Sequence, residues 1–124
     1  APQSRPQKPR AQHWLNNSIG RAGFGLNPIA NTRDERFGIE LWITSPESKQ
    51  HYANLFAQKQ DIEAKLGFEL DWQELPDAKA VRIASWYPDA SIEDEHRWPE
   101  YIDWLTQRLV KMDTVLRPIV KALP

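Results

Sequence analysis

The sequence predicts an α+β domain with the element order ββαββα: an antiparallel four-stranded sheet with two helices packed on one face. Three patterns carry this. Residues 36–44 alternate apolar and polar side chains. Apolar residues over 52–66 and again over 98–123 recur at helical spacing. Breaks rich in Gly, Pro and Asn separate the segments, so that each helix follows a pair of strands.

Residues 1–10 hold three prolines, three basic side chains and no large apolar one. Proline fixes φ and lacks a donor, so this stretch reads as an extended, solvated linker remnant and a sign that the chain is cut from something longer. The single α+β domain then covers 11–124. Residues 11–17 present Trp14 and Leu15 on a short turn or helix. From Ser18 to Leu26, the glycines at 20, 23 and 25 predict a bulged strand, since glycine allows positive φ and close backbone approach. Asn27-Pro28 and Asn31-Thr32-Arg33-Asp34 have turn chemistry.

The strand from Arg36 to Thr44 follows. Phe37, Ile39, Leu41 and Ile43 alternate with Gly38, Glu40, Trp42 and Thr44, a period of two that implies one buried face. It should pair with the preceding segment as a hairpin. Ser45-Pro46 supplies an N-cap hydroxyl and a proline for the first helical position. Tyr52, Leu55, Phe56, Ile62 and Leu66 form one helical stripe, and Gly67 is a left-handed stop.

Phe68–Leu75 and Lys79–Tyr87 make the second hairpin around Pro76-Asp77. Val81 and Ile83 point one way; Ala80, Arg82, Ala84 and Trp86 point the other. Ser91 with Asp94 resembles a capping box. Pro99 belongs in a first turn, which starts the regular last helix near Trp98. Its stripe is Trp98, Ile102, Leu105, Leu109, Met112, Leu116, Ile119 and Leu123, and Pro118 should kink or tighten the final turns. At about 38 Å for some 25 residues, this helix exceeds a short strand, so its far end could meet a second copy or a neighbouring domain of the parent protein.

A chain of 124 residues suffices for one domain with a real core. The absence of cysteine excludes disulfides, thiolate metal sites and cysteine nucleophiles, and it suits a cytoplasmic protein. No apolar run is long enough to span a membrane, and residues 1–10 lack the apolar stretch of a signal peptide. A net charge of −1 is not that of a general polyanion binder. Residues 1–40 nevertheless carry six basic and three acidic side chains, against ten and fourteen in the remainder. A nucleic-acid contact should therefore favour the N-terminal third.

Few residues carry a chemical signature. Asp77-Ala78-Lys79, with Glu74 nearby, matches the short acidic-x-Lys pattern of divalent-metal nucleases, but it falls in a predicted turn, where Asp is expected anyway. Glu63-Ala64-Lys65 repeats the pattern on a helix. His13, His51 and His96 stand at no metal-ligand spacing, and His51 and His96 read as solvated residues at helix ends. No phosphate-binding Gly-Lys loop or nucleophile elbow is present. No cofactor, metal or catalytic residue is assigned.

The stronger constellation lies on the sheet. If Phe37, Ile39, Leu41, Val81 and Ile83 face the helices, then Glu40, Trp42, Arg82 and Trp86 share the other side, with Arg21, Arg33 and Arg36 able to border it. An open face of aromatic and basic groups can stack bases and hold phosphates. An Arg82–Glu40 ion pair would leave Arg82 less available to a phosphate.

The stretches RPQKPRAQHWLNNSIGRAGFGLNPIANTRDERFGIELWI, LGFELDWQELPDAKAVRIA and WPEYIDWLTQRLVKMDTVLRPIV together resemble a bacterial domain-of-unknown-function family numbered 4268. The resemblance covers nearly the whole chain. It implies a C-terminal module of longer bacterial proteins, often behind a nuclease-like part, and it supplies no catalytic residue. Relatives of this type read Lys-x-Ser-Arg-Ile where this chain has Lys79-Ala80-Val81-Arg82-Ile83, so a hydroxyl is replaced by Val81.

The expectation is a non-catalytic accessory domain that helps a larger protein engage DNA or RNA through Arg21, Arg33, Arg36, Trp42, Arg82 and Trp86. The alternatives are a protein-docking or dimerisation module built on the last helix, and a divalent-metal nuclease using Glu74, Asp77 and Lys79.

Overall fold

The alternating residues of 36–43 build the centre of a sheet. The structure is a computed structural model that describes residues 17–31, 33 and 35–124. The linker expected over 1–10, and the short element with Trp14 and Leu15, lie outside the described residues. The strands are β1 (Asn17–Ser18), β2 (Phe24–Asn31), β3 (Arg36–Ile43), β4 (Asp71–Gln73) and β5 (Val81–Trp86), ordered β1-β2-β3-β5-β4 with every neighbouring pair antiparallel. The helices are α1 (Ser48–Phe56), α2 (Lys59–Leu66) and α3 (Trp98–Lys121). This is the expected α+β class, with a two-residue strand added at one edge and the first helical segment in two pieces.

The first strand lies further along the chain than its glycines suggested. Residues 20–23 form a bend and turn, in which Gly20 and Gly23 have φ of 92° and 84°. A Cβ on Gly23 would sit 2.9 Å from the Cα of Ser45, and its carbonyl accepts from the Thr44 N–H at 2.8 Å. The glycines thus serve the turn, and the strand starts at Phe24. Asn27-Pro28 is inside β2 rather than a turn. β1 pairs only with Gly25 and Leu26, so the outer side of β2 at Pro28 has no partner strand among the described residues. A residue without an N–H is tolerated there.

Ser45 does not cap a helix. Its carbonyl closes a turn onto the Ser48 N–H, and α1 begins at Ser48. Gly67 ends α2 with φ of 88°, as its position requires. Leu55, Ile62 and Leu66 are buried, while Phe56 is left largely exposed, stacked on Tyr52 and edge-on to Trp72. Glu63 ties α2 to the second hairpin. One carboxylate oxygen accepts from the Leu70 N–H at 2.8 Å and from Trp72 Nε1 at 3.0 Å, and the other meets Lys59 Nζ at 2.9 Å.

Ser91 does not cap α3: its carbonyl accepts from the Asp94 N–H in a turn, and it is Asp94 that caps the short 3-10 segment ahead of that helix. Asp94 accepts from the His96 N–H at the start of a short 3-10 turn, and α3 starts at Trp98 with proline in its first turn, as expected. The buried seam of α3 is Tyr101, Leu105, Leu109, Met112, Leu116 and Val120. The expected seam began at Trp98 and Ile102, which instead face outward. The reason is an aromatic cluster: Tyr101 packs against Phe37 and Tyr87, and its hydroxyl bonds the backbone of Ser91. Phe24, Leu26, Ile39, Leu41, Ile43, Val81 and Ile83 complete one core with the helices. The apolar seam of α3, including Leu116, is thus spent within the domain.

Candidate recognition face

Strand parity assigns two opposite surfaces. Ile39, Leu41 and Ile43 pair with Ser85, Ile83 and Val81 beneath the helices. Arg36, Gly38, Glu40 and Trp42 of β3, Arg82, Ala84 and Trp86 of β5, and Asp71 and Gln73 of β4 fall on the other side. Both tryptophans of this side are partly exposed. They are neither sealed in the core nor turned toward the helices.

Each tryptophan lies opposite a glycine across a strand pair: Trp86 opposite Gly38 and Trp42 opposite Gly25. A Cβ on Gly38 would collide with the Ser85 carbonyl oxygen and stand 2.8 Å from the Trp86 ring. Gly38 is therefore the residue that lets the Trp86 indole lie across the sheet.

Two Trp–Arg units result. In the first, the Arg36 guanidinium carbon sits 3.8 Å from the Trp86 ring centre, while Trp86 Nε1 donates to Asp71 Oδ2 at 2.9 Å. Gln73 donates to the same oxygen, and Arg36 Nη2 stands 3.6 Å from it, an ion pair rather than a hydrogen bond. In the second, Arg82 Nε donates to Glu40 Oε1 at 2.8 Å and the guanidinium carbon is 5.7 Å from the Trp42 ring centre. Ala84, between the two, has no exposed surface. Gly38 and Trp42 are four residues apart along β3, so the units are separated by about 13 Å at strand rise.

The expected residues distribute unevenly. Arg36, Trp42, Arg82 and Trp86 share one surface. Arg33 is exposed in the turn between β2 and β3, where its N–H bonds Asn31 Oδ1. Arg21 does not border this surface. Its guanidinium donates to the carbonyls of Val120, Leu123 and Pro124 at 2.7–3.1 Å, satisfying acceptors at the C-terminal end of α3 that the helix itself leaves open. Asp71, Gln73 and Gly38 were missed by sequence reasoning. The alternation Asp71-Trp72-Gln73 would have shown the first two, had β4 not been only three residues long.

A family model described as a domain of unknown function, DUF4268, matches residues 1–120. The chain belongs to that family. No curated protein and no solved structure matches it.

In this DUF4268 domain, Val81 is fully buried opposite Ile43. A hydroxyl at that position would face the core, so valine there is a packing residue and not part of the exposed face. Glu74, Asp77 and Lys79 are exposed in the loop between β4 and β5, organised by Lys49, whose ammonium donates to the carbonyls of Glu74, Leu75 and Ala80. Among the described residues, no three acidic or histidine side chains gather to hold a metal. Glu63 of the second acidic-x-Lys triplet is occupied with its hydrogen bonds to Leu70 and Trp72.

His51, expected at a solvated helix end, is 3% exposed in this domain. Ser45 Oγ lies 2.8 Å from Nδ1, the Pro124 carbonyl 3.1 Å from Nε2, and the Phe24 ring packs beside it. With Nε2–H donating to the carbonyl, Nδ1 accepts from Ser45. Both side chains are closed to solvent, so the pair serves to tie α1 to the end of α3. Among the described residues, no helix is long and apolar enough to cross a membrane.

Proposed function

We propose that this domain is a non-catalytic recognition module that helps a larger protein engage nucleic acid, with unpaired bases meeting the sheet face that no helix of the described residues covers. The observation that carries the reading is the pair of partly exposed tryptophans, each under an arginine, on one surface. Aromatic rings and guanidinium planes both stack on bases irrespective of sequence, and unused N–H groups of the same arginines can reach phosphates. Arg36 supports this most directly, because among the described residues the carboxylate it pairs with, that of Asp71, stands beyond hydrogen-bonding distance. Arg82 contributes less, since Glu40 already takes its Nε. The bacterial origin, the C-terminal place in a longer, nuclease-associated polypeptide and a cytoplasmic setting belong to the same proposal.

The test is fluorescence anisotropy of a labelled single-stranded oligonucleotide across a salt series. With Arg33, Arg36 and Arg82 as phosphate contacts, the slope of log K against log salt should be near −2, at about −0.7 per phosphate. Trp86→Ala and Trp42→Ala should each weaken binding by about 1–3 kcal/mol, the worth of one stacked base. Absence of salt-dependent binding by the wild-type domain at low salt ends the proposal.

One observation favours a second reading, that of protein docking. Trp98, Ile102 and Val110 on the outer side of α3 are 45%, 58% and 61% exposed. Light scattering at high concentration decides it: a dimer abolished by Ile102→Lys and Val110→Lys supports docking through this helix, and a strict monomer removes self-association.

A further inference from the structure

Arg108 stands apart from the other partly buried arginines. Arg82, Arg97 and Arg117 each have a carboxylate within 3.3 Å, and Arg21 has three carbonyls. Arg108 makes one hydrogen bond among the described residues, from Nη1 to Ser85 Oγ at 2.9 Å, and no ion pair. Its guanidinium carbon lies 3.7 Å from the Phe68 ring centre and 4.9 Å from that of Trp104. Burial pushes this guanidinium below its ordinary range, the direction expected of a cation removed from water without a counter-charge. The aromatic faces offset part of that cost.

The group opens onto a cleft of about 340 Å³ between the α2–β4 connection and the middle of α3, lined by Leu66, Phe68, Trp104, Gln107, Arg108 and Lys111. The lining holds two cations, one amide and no acid. Gln107 turns its Nε2 to Asp103 one turn earlier, so the amide is already engaged.

We propose that this cleft binds a phosphate group, free or carried on a small organic body, with Arg108 as the principal ligand and Lys111 as the second charge. A guanidinium fork holds an oxyanion through two parallel N–H bonds, and Arg108 has N–H groups left beyond the one given to Ser85. A lone arginine would suit a carboxylate. Two cations with no acid in the lining favour the greater charge of a phosphate, about −1.5 to −2 at neutral pH. The cleft is at the small end of ligand sites, which run from about 300 Å³ upward. Its apolar wall of Leu66, Phe68 and Trp104 fits the body that would carry the phosphate. The site lies on the helix side of the sheet and does not depend on the nucleic-acid reading.

The experiment is a titration of the full chain with inorganic phosphate at constant ionic strength, followed by NMR of the Arg108 Nε–H and the Trp104 indole N–H, with acetate and phenyl phosphate in parallel. The expected result is saturable shifts at both groups with phosphate. Acetate should bind at least fivefold more weakly and phenyl phosphate more tightly than phosphate if the site takes a carried group, or equally if it takes the free ion. Arg108→Gln should weaken phosphate binding at least tenfold. Lys111→Gln, at an exposed position, should weaken it about threefold. Arg82→Gln on the opposite face should leave it unchanged. Absence of saturable shifts, acetate binding as well as phosphate, or Lys111→Gln and Arg108→Gln binding like wild type would each overturn the assignment.

Discussion

Replacing Glu63 tests how the second hairpin is held to the helices. Its side chain is 12% exposed, and a single oxygen accepts both the Leu70 N–H and the Trp72 indole N–H. Glu63→Ala strands both donors. Hydrogen bonds to a charged group contribute about 1.5–3 kcal/mol each. Since the two share one oxygen they do not add fully, and the expected loss is about 3 kcal/mol. Glu63→Gln can place its carbonyl oxygen where both donors converge, losing the charge and the Lys59 contact, for about 1 kcal/mol. At roughly 4 °C per kcal/mol for a chain of this size, thermal midpoints near neutral pH should fall by about 12 °C and 4 °C.

The pH dependence adds an independent check. Burial raises the Glu63 pKa, but the hydrogen bonds from Trp72, Leu70 and Lys59 outweigh it and hold the carboxyl below its ordinary value. The folded state then binds its proton less readily than the unfolded chain. The stabilisation is present above the unfolded value, about 4.3, and is lost as pH falls through the lower folded value. The gap between wild type and Glu63→Gln should close on acidification, measured by urea unfolding at pH 7 and pH 3. Equal losses for the two substitutions, or a gap unchanged between those pH values, would refute the reasoning.

Gly38→Ala should cost about 1–3 kcal/mol through overpacking against the Ser85 carbonyl and the Trp86 ring, and should displace the Trp86 indole N–H resonance from its Asp71-bonded position. Arg21→Gln should raise amide exchange at Ala122 and Leu123 by at least tenfold, because the α3 carbonyls it caps lose their donor; unchanged protection would show that the cap is dispensable. Met112→Ala, at a fully buried seam position, should lower stability by about 2–5 kcal/mol in chemical denaturation.

Where one periodicity governed a segment, the sequence was legible. The alternation from Phe37 to Ile43 and from Val81 to Trp86 is enough to place Trp42, Arg82 and Trp86 on one side, where the sheet has them. The Arg82–Glu40 pair followed from the same parity. Reading failed where a tertiary partner overrode a local signal. Ser45 was read as a cap, but its hydroxyl is drawn to a histidine six residues on. Ile102 fitted the heptad better than Tyr101, yet the ring cluster around Phe37 and Tyr87 selected the tyrosine. Arg21 counted toward a basic surface by proximity in sequence, and its guanidinium went to a helix end about a hundred residues away. Arg108 carried no local signal, since what sets it apart is a missing counter-ion.

The strand order decides how the Trp–Arg face is put together. The two hairpins meet only where β3 lies beside β5, and both Trp–Arg units straddle that junction: Arg36 reaches across to Trp86, and Arg82 to Trp42. Neither hairpin alone contains a whole Trp–Arg unit. Both units are therefore completed only when β3 and β5 pair, and an isolated half, cut between α2 and β4, would keep each ring without the arginine that lies over it.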